Sequence, residues 1–254
     1  MNRYQNLIQK LAGRQKVQGS NIALFNEPWL ISKMMRDDID FYLMDMEHGR
    51  FDTQNLVSLF AMCRALGMPS IVRVQDTAYH LIAKTLDMGA DGIMLPRVES
   101  LEQLRRAIDA MFYPPVGKKG FGGIGRVRKG ETLEQYQKGR VLLPQIESPA
   151  GIENLDAMLK QYGEYISGVI VGPMDMSLAL GTPLDIYSDQ MIKAVQRVFD
   201  TCKGHSKSVG IYCAGAEDAR FFREMGANIL WVSGDLDFLM MGYEAVYAQL
   251  AKIE

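Results

Sequence analysis

Phe41-Tyr42-Leu43-Met44-Asp45-Met46-Glu47-His48-Gly49 is an apolar run that stops on a cluster of ionisable groups. The pattern recurs down the chain. Ser70-Ile71-Val72-Arg73 ends on an arginine, and Val141-Leu142-Leu143-Pro144-Gln145-Ile146-Glu147 ends on a carboxylate. Gly168-Val169-Ile170-Val171-Gly172-Pro173-Met174-Asp175 leads into another. Strands of a parallel sheet are buried on both faces, so they read as continuous Val/Ile/Leu stretches rather than alternating ones. Polar groups then collect where the strands emerge, and in a (β/α)8 barrel those ends carry the catalytic residues. A histidine, an arginine and several carboxylates there are an enzyme's inventory.

Working outward, eight strands are predicted: Ile22–Phe25, Phe41–Met46, Ser70–Val74, Gly92–Leu95, Val141–Ile146, Gly168–Val171, Val209–Tyr212 and Ile229–Val232. Amphipathic stretches of helical length separate most of them. Asn55–Gly67 ends on a glycine suited to a helix C′ position. Ser100–Ala110 opens with Ser100 and carries Gln103 three residues on, a capping-box pattern. Met191–Cys202 and Ala216–Met225 are further helices. Leu86–Pro96 and Phe222–Trp231 each read as helix end, Gly-Ala turn and strand, a repeated αβ unit. At 254 residues one α/β barrel accounts for the whole chain, 1–254. The tail from Leu236 to Ile253 reads as one more helix, rich in Met, Tyr and Leu, whose apolar face must pack on its own barrel or on a neighbouring subunit.

A formal charge of -2 argues against nucleic acid or an anionic membrane surface as the main partner. No apolar stretch is long enough to span a bilayer, and Met1–Asn6 lacks the pattern of a signal peptide. Cys63, Cys202 and Cys213 form neither a disulfide framework nor a Cys-x-x-Cys site, so a reducing cytoplasm is expected. The stretch 113–137 is too rich in Gly and Pro for a core helix and is expected to form a mobile flap after the fourth strand. Within it Gly120-Phe121-Gly122-Gly123-Ile124-Gly125 matches Gly-x-Gly-x-x-Gly, but that fingerprint must follow a strand and open a helix. Here Pro114-Pro115 precede it and Arg126-Val127-Arg128-Lys129-Gly130 follow, so a basic loop is the better reading.

Glu147 and Asp175 are the metal candidates, because oxygen ligands at successive strand ends suit Mg2+ or Mn2+. The competing reading is that each carboxylate caps a following helix. His48 stands out among three histidines because Asp45 and Glu47 flank it, and a carboxylate can orient an imidazole and raise its basicity. Arg73 ends a buried strand and needs an anionic partner, either a protein carboxylate or a substrate. No lysine falls in any predicted strand, which disfavours Schiff-base chemistry and leaves a metal as the natural electron sink.

Taken together, Asp45-Met46-Glu47-His48-Gly49, Val72-Arg73-Val74, Leu86-Asp87-Met88-Gly89-Ala90, Tyr113-Pro114-Pro115, Gln145-Ile146-Glu147 and Gly172-Pro173-Met174-Asp175-Met176-Ser177 resemble the HpcH/HpaI family of class II, pyruvate-dependent aldolases. The resemblance runs in order from about residue 20 to 240. It implies a barrel with a divalent metal, Mg2+, Mn2+ or another such ion, held by Glu147 and Asp175. It implies His48 as base, Asp87 as the acid that raises its basicity, and Arg73 as the group stabilising an enolate. Gln145 and Met174, the latter through its backbone, match substrate contacts. It further implies a homo-hexamer exchanging the last barrel helix between subunits. One departure is Lys118-Lys119-Gly120, where the family commonly has Arg-Gly; a single cation recognises a distal carboxylate less rigidly than a forked one.

The expected reaction is cleavage of a 4-hydroxy-2-oxo acid to pyruvate and an aldehyde. A citrate-synthase-like condensation of oxaloacetate with acetyl-CoA, in which the basic flap meets CoA phosphates, is the alternative within the family. A barrel used only for binding is the non-catalytic alternative.

Overall fold

The computed structural model describes residues 2–122 and 130–253. Eight parallel strands close into a barrel in sequence order: β1 Val17–Ile22, β2 Phe41–Asp45, β3 Ser70–Arg73, β4 Gly92–Leu95, β5 Val141–Ile146, β6 Gly168–Val171, β7 Ser208–Cys213 and β8 Ile229–Gly234. The helices of the described residues are α1 Arg3–Ala12, α2 Pro28–Met34, α3 Thr53–Ala65, α4 Tyr79–Met88, α5 Leu101–Met111, α6 Leu133–Gly139, α7 Pro149–Tyr162, α8 Pro173–Ala179, α9 Asp189–Gly204, α10 Ala216–Met225 and α11 Asp235–Leu250. The predicted (β/α)8 architecture is the observed one. Ser100 caps α5 with Gln103 closing the capping box, as its spacing predicts.

Strand periodicity divides the apolar residues into two cores. Phe41, Leu43, Ile71, Met94, Val141, Leu143, Ile170 and Ile229 fill the barrel interior, and Leu7 and Leu11 of α1 pack into the same cluster. The alternate residues, such as Tyr42, Met44, Val72 and Leu142, join the larger core between the strands and the helices. Continuing the inward set toward the strand ends gives Asp45, Arg73 and Gln145, so the apolar filling gives way to polar groups at that end. Gly19 and Gly210 make this packing possible: a Cβ on Gly19 would fall 2.2 Å from the Phe41 ring, and one on Gly210 2.1 Å from the Ile229 carbonyl oxygen.

The first strand departs from its prediction. It is Val17–Ile22 rather than Ile22–Phe25. The N–H groups of Ala23, Leu24 and Phe25 donate to the buried Asp235 carboxylate at 2.8–3.2 Å, so these residues leave the sheet. The stretch expected as a flap also differs. It joins α5 to β5, so α5 carries the chain back to the strand-starting end, and residues 133–139 are helical. Tyr113 and Lys119 within it are buried. Gly123–Gly125 of the glycine-rich motif lie outside the described residues, and the next helix, α6, begins at Leu133 rather than on the motif.

Asp235 begins α11, and it is the one buried residue of that helix. Leu236, Phe238, Leu239, Met240, Met241, Tyr243, Val246, Tyr247 and Leu250 are all exposed. Beside the start of α11, a groove of about 770 Å³ opens between α2 and α10 over β1 and β8, lined by Leu30, Met34, Tyr42, Ala219, Leu230 and Val232 among others. No helix among the described residues is long and apolar enough to cross a membrane. Because one carboxylate satisfies the N–H groups of three successive residues, Asp235→Ala is expected to destabilise the barrel by about 3 kcal/mol or more in urea denaturation, since each bond to a charged acceptor contributes about 1.5–3 kcal/mol.

Candidate active site

The register of β2 and β3 places Asp45 beside Arg73. Both side chains are buried, and Arg73 donates through Nε to Asp45 Oδ1 at 2.9 Å and through Nη2 to Oδ2 at 2.5 Å. Asp45 Oδ1 also accepts the N–H groups of Glu47 and His48 at 3.0 and 3.3 Å, shaping the loop that follows β2. Arg73 therefore takes a protein carboxylate while still lining a cavity of about 320 Å³ with Asn21, His48, Gln145, Gly172, Pro173, Met174, Asp175, Tyr212 and Trp231. Burial opposes its charge, but Asp45, Glu47 and Glu147 raise its pKa overall.

His48 reaches this cavity with its side chain 65% exposed and its Nε2 3.8 Å from Glu47 Oε2. Of its two flanking carboxylates, Asp45 is committed to Arg73 and the loop N–H groups, which leaves Glu47 as the near one. Glu47 also approaches Arg73 Nε at 3.5 Å and Arg97 Nε at 3.2 Å. Burial raises its pKa, while Arg73, His48 and Arg97 pull the other way.

Glu147 is buried at the end of β5 and does not cap α7, whose N-cap is Ser148. Its Oε1 accepts the Arg97 N–H at 2.7 Å and its Oε2 accepts Gln145 Nε2 at 2.6 Å. Burial pushes its pKa up to about 7, and the negative charges of Asp175 and Glu47 add to the rise. Asp175 stands exposed in the first turn of α8, whose N-cap, Gly172, makes no side-chain capping bond. The capping reading therefore gives way for Glu147 but stands for Asp175, which lies in the first turn of α8 where the helix dipole favours a carboxylate. Asp175 and Glu147 also line a second cavity, of about 440 Å³, with Asp76, Arg97, Glu99 and Gln103.

No group of three or more His, Cys, Asp or Glu side chains able to hold a metal occurs among the described residues. The Glu147–Asp175 pair nevertheless fits a hard divalent cation, which takes one or two carboxylates and fills its remaining positions with other oxygens. Their mutual repulsion is what a cation relieves, and Gln145 Oε1 nearby is buried with no hydrogen-bond partner among the described residues. Met174 precedes Asp175 on α8 and lines the 320 Å³ cavity.

Asp87 is not part of this cluster. It lies near the C-terminus of α4, at the strand-starting end of the barrel, and Lys119 Nζ donates to its Oδ1 at 2.5 Å. The Lys119 side chain is fully buried there, over the Tyr113 ring, and Lys118 pairs with Asp109 at 3.0 Å. Lys119 is thus a buried structural cation, Lys118 stays at the surface, and Arg126, Arg128 and Lys129 of the expected basic loop lie outside the described residues. His205 pairs with Asp156 at the surface, a structural role.

Arg97 is a residue the motifs did not single out. Its backbone adopts φ +50°, its N–H holds Glu147, and its guanidinium spans Glu47 and the Gln75 carbonyl oxygen. Its sequence signal was a lone arginine two residues past the end of β4, indistinguishable from a surface cation.

A profile of the HpcH/HpaI aldolase/citrate lyase family matches residues 23–240. The chain belongs to this family. Among its relatives, a 5-keto-4-deoxy-D-glucarate aldolase of Escherichia fergusonii is 33% identical over 208 residues, covering 80% of each chain. The crystal structure of an HpcH/HpaI aldolase from Desulfitobacterium hafniense DCB-2 superposes with a TM-score of 0.89 at 24% identity, covering 97% of this chain and 96% of that one. Citrate synthase SbnG superposes with a TM-score of 0.85 at 24% identity, covering 97% of each chain. At such identities these structures establish the shared fold.

Gly172 shows how tightly this cluster is built. A Cβ at this position would lie 2.0 Å from Glu147 Oε2 and 2.4 Å from Gln145 Nε2. Gly172→Ala is expected to force both side chains aside and to lower stability by about 1–3 kcal/mol, as overpacking does. An unchanged urea midpoint would show that the contact is loose.

Proposed function

We propose that this protein is a divalent-metal-dependent carbon–carbon lyase that reversibly cleaves a 4-hydroxy-2-oxo acid to pyruvate and an aldehyde. The observation that carries the reading is the convergence of Arg73, His48 and Asp175 on one cavity, with Glu147 beside them. The names of the aldolase relatives support the same reaction class.

A divalent cation held by Glu147 and Asp175 would act as a Lewis acid toward the 2-oxo acid. The chain's own residues do the rest. Arg73, held rigid by Asp45, directs a fixed cation at the keto oxygen where negative charge develops. His48 removes the C4 hydroxyl proton, the C3–C4 bond breaks, and its electron pair passes into the pyruvate enolate, which is then protonated at C3. Gln145 and the Met174 backbone position the oxo acid. Asp87 faces the opposite end of its own barrel, so its role as tuner of His48 requires a neighbouring subunit whose His48 it meets. We place the family's homo-hexamer here as the assembly that provides this contact, with α11 exchanged into the groove between α2 and α10 of a neighbour.

Pyruvate release from a 4-hydroxy-2-oxo acid is expected to vanish with EDTA and return with Mg2+ or Mn2+. Glu147→Gln and Asp175→Asn should lose both Mn2+ binding and turnover while remaining folded. Arg73→Ala should lose at least about 10²–10³ in rate, the usual effect of removing one preorganised oxyanion donor. Full activity in chelator-treated protein, or thiol release from acetyl-CoA plus oxaloacetate in place of pyruvate formation, would contradict the reading. With Lys119 committed to Asp87, one of the two flap cations that the condensing alternative would turn to CoA phosphates is already taken.

Removing residues 239–254 keeps Asp235 and Asp237 but deletes most of the apolar face of α11. The truncated protein should show a smaller mass in light scattering or should aggregate, and an unchanged solution mass would contradict helix exchange.

A further inference from the structure

Arg97 follows β4, and its bonds reach the chain just past β2, β3 and β5 as well. Its N–H donates to Glu147 Oε1 at 2.7 Å, its Nη2 donates to the Gln75 carbonyl oxygen at 2.8 Å, and its Nε lies 3.2 Å from Glu47 Oε1. Its own carbonyl oxygen accepts Gln103 Nε2 of α5 at 3.0 Å. One residue thus ties together the ends of consecutive strands, on the arc of the barrel that carries His48, Arg73 and Glu147. It does so at φ +50°, a left-handed conformation uncommon outside glycine that persists only where the surroundings over-determine it.

Stability of the fold gives little reason for the side chain. It is 61% exposed, and an ion pair with so exposed a partner adds little to stability. What the guanidinium does fix is one end of Glu47. That carboxylate has Arg97 on Oε1, and its Oε2 lies 3.8 Å from His48 Nε2 and 3.5 Å from Arg73 Nε. Asp45 is already bound by Arg73 through both oxygens, so Glu47 is the carboxylate left to face the imidazole as it takes a proton. Unpinned, Glu47 would be free to turn away from His48, toward Arg73 or toward a cation on Glu147 and Asp175.

Resting on the aldol reading above, we infer that Arg97 is a positioning residue for the reaction, whose guanidinium holds the Glu47 carboxylate against His48 so that the base is stabilised as it becomes charged. Its backbone N–H holds Glu147 independently, so the two contributions belong to separable parts of one residue. The side chain lies in the open 440 Å³ cavity beside the carboxylate pair, where a small free guanidinium ion has room to replace it.

The test uses that separation. Arg97→Gly keeps the N–H and suits the left-handed backbone, but removes the guanidinium. The assay is cleavage of 4-hydroxy-2-oxopentanoate to pyruvate and acetaldehyde in the presence of Mn2+. The kcat of Arg97→Gly should fall about tenfold or more, since small misplacements at a reacting centre cost up to about 10²-fold. KM and the affinity for Mn2+, followed by electron paramagnetic resonance, should stay close to the wild-type values. Added methylguanidinium should recover kcat several-fold and saturably in this variant, where sodium chloride at the same ionic strength does not. Arg97→Lys, a cation without the fork, should keep an intermediate kcat. An unchanged kcat in Arg97→Gly overturns the inference. So does loss of Mn2+ affinity in step with kcat, which would assign the guanidinium to support of the carboxylate pair. A loss that neither methylguanidinium nor lysine recovers overturns it as well. With an active wild type, any of these results defeats this inference alone, whereas a wild type that releases no pyruvate with Mn2+ defeats the aldol reading and this inference with it.

Discussion

The buried pair between Asp45 and Arg73 is the contact on which the rest of the site depends. Two charged side chains inside a barrel are expensive to desolvate, and a pair of this kind persists only with good geometry and further hydrogen bonds. The strand register provides the geometry and the Glu47 and His48 N–H groups provide further hydrogen bonds. One carboxylate thus fixes a cation toward the cavity and the course of the loop that carries His48. Loss of either partner would strand a buried charge, at a cost of about 3–5 kcal/mol, so the pair supports the fold as well as the site.

The second organising constraint is crowding of negative charge. Glu47, Glu147 and Asp175 interact closely enough that the Glu147 carboxyl is pushed up to about 7, with burial as the main cause. Arg97 counters part of this by presenting a backbone N–H to Glu147 and a guanidinium to Glu47. Gly172, with no Cβ, leaves the space that the Gln145 and Glu147 side chains occupy. Crowded carboxylates, a rigid cation and an exposed imidazole together describe a site suited to a divalent ion and an anionic oxo acid.

Most of this fold was legible because parallel strands announce themselves as apolar runs, and β2 to β8 fall within two residues of their predicted ends. The first strand was hidden because Gln18, Gly19, Ser20 and Asn21 look like a turn. Gly19 makes room for Phe41, and Asn21 faces the cavity, so packing and chemistry override strand propensity there. His48, Arg73, Glu147 and Asp175 were legible as charges ending buried runs. Arg97 was not, because its contribution runs through its backbone, and Trp231 looked like ordinary core. The stretch around Lys119 was misread from composition: its Gly and Pro content suggested mobility, but a buried ion pair with Asp87 and a packed Tyr113 hold it.

The central claim is that Glu147 and Asp175 hold a divalent ion beside the cavity lined by Arg73, so that the oxo acid turns toward that guanidinium. Anomalous diffraction from crystals grown with Mn2+ and pyruvate tests it most directly. The account predicts a manganese peak at ligand distance from both carboxylates, with the pyruvate keto oxygen facing the Arg73 guanidinium. A peak away from this pair, or pyruvate bound outside the cavity, would contradict it.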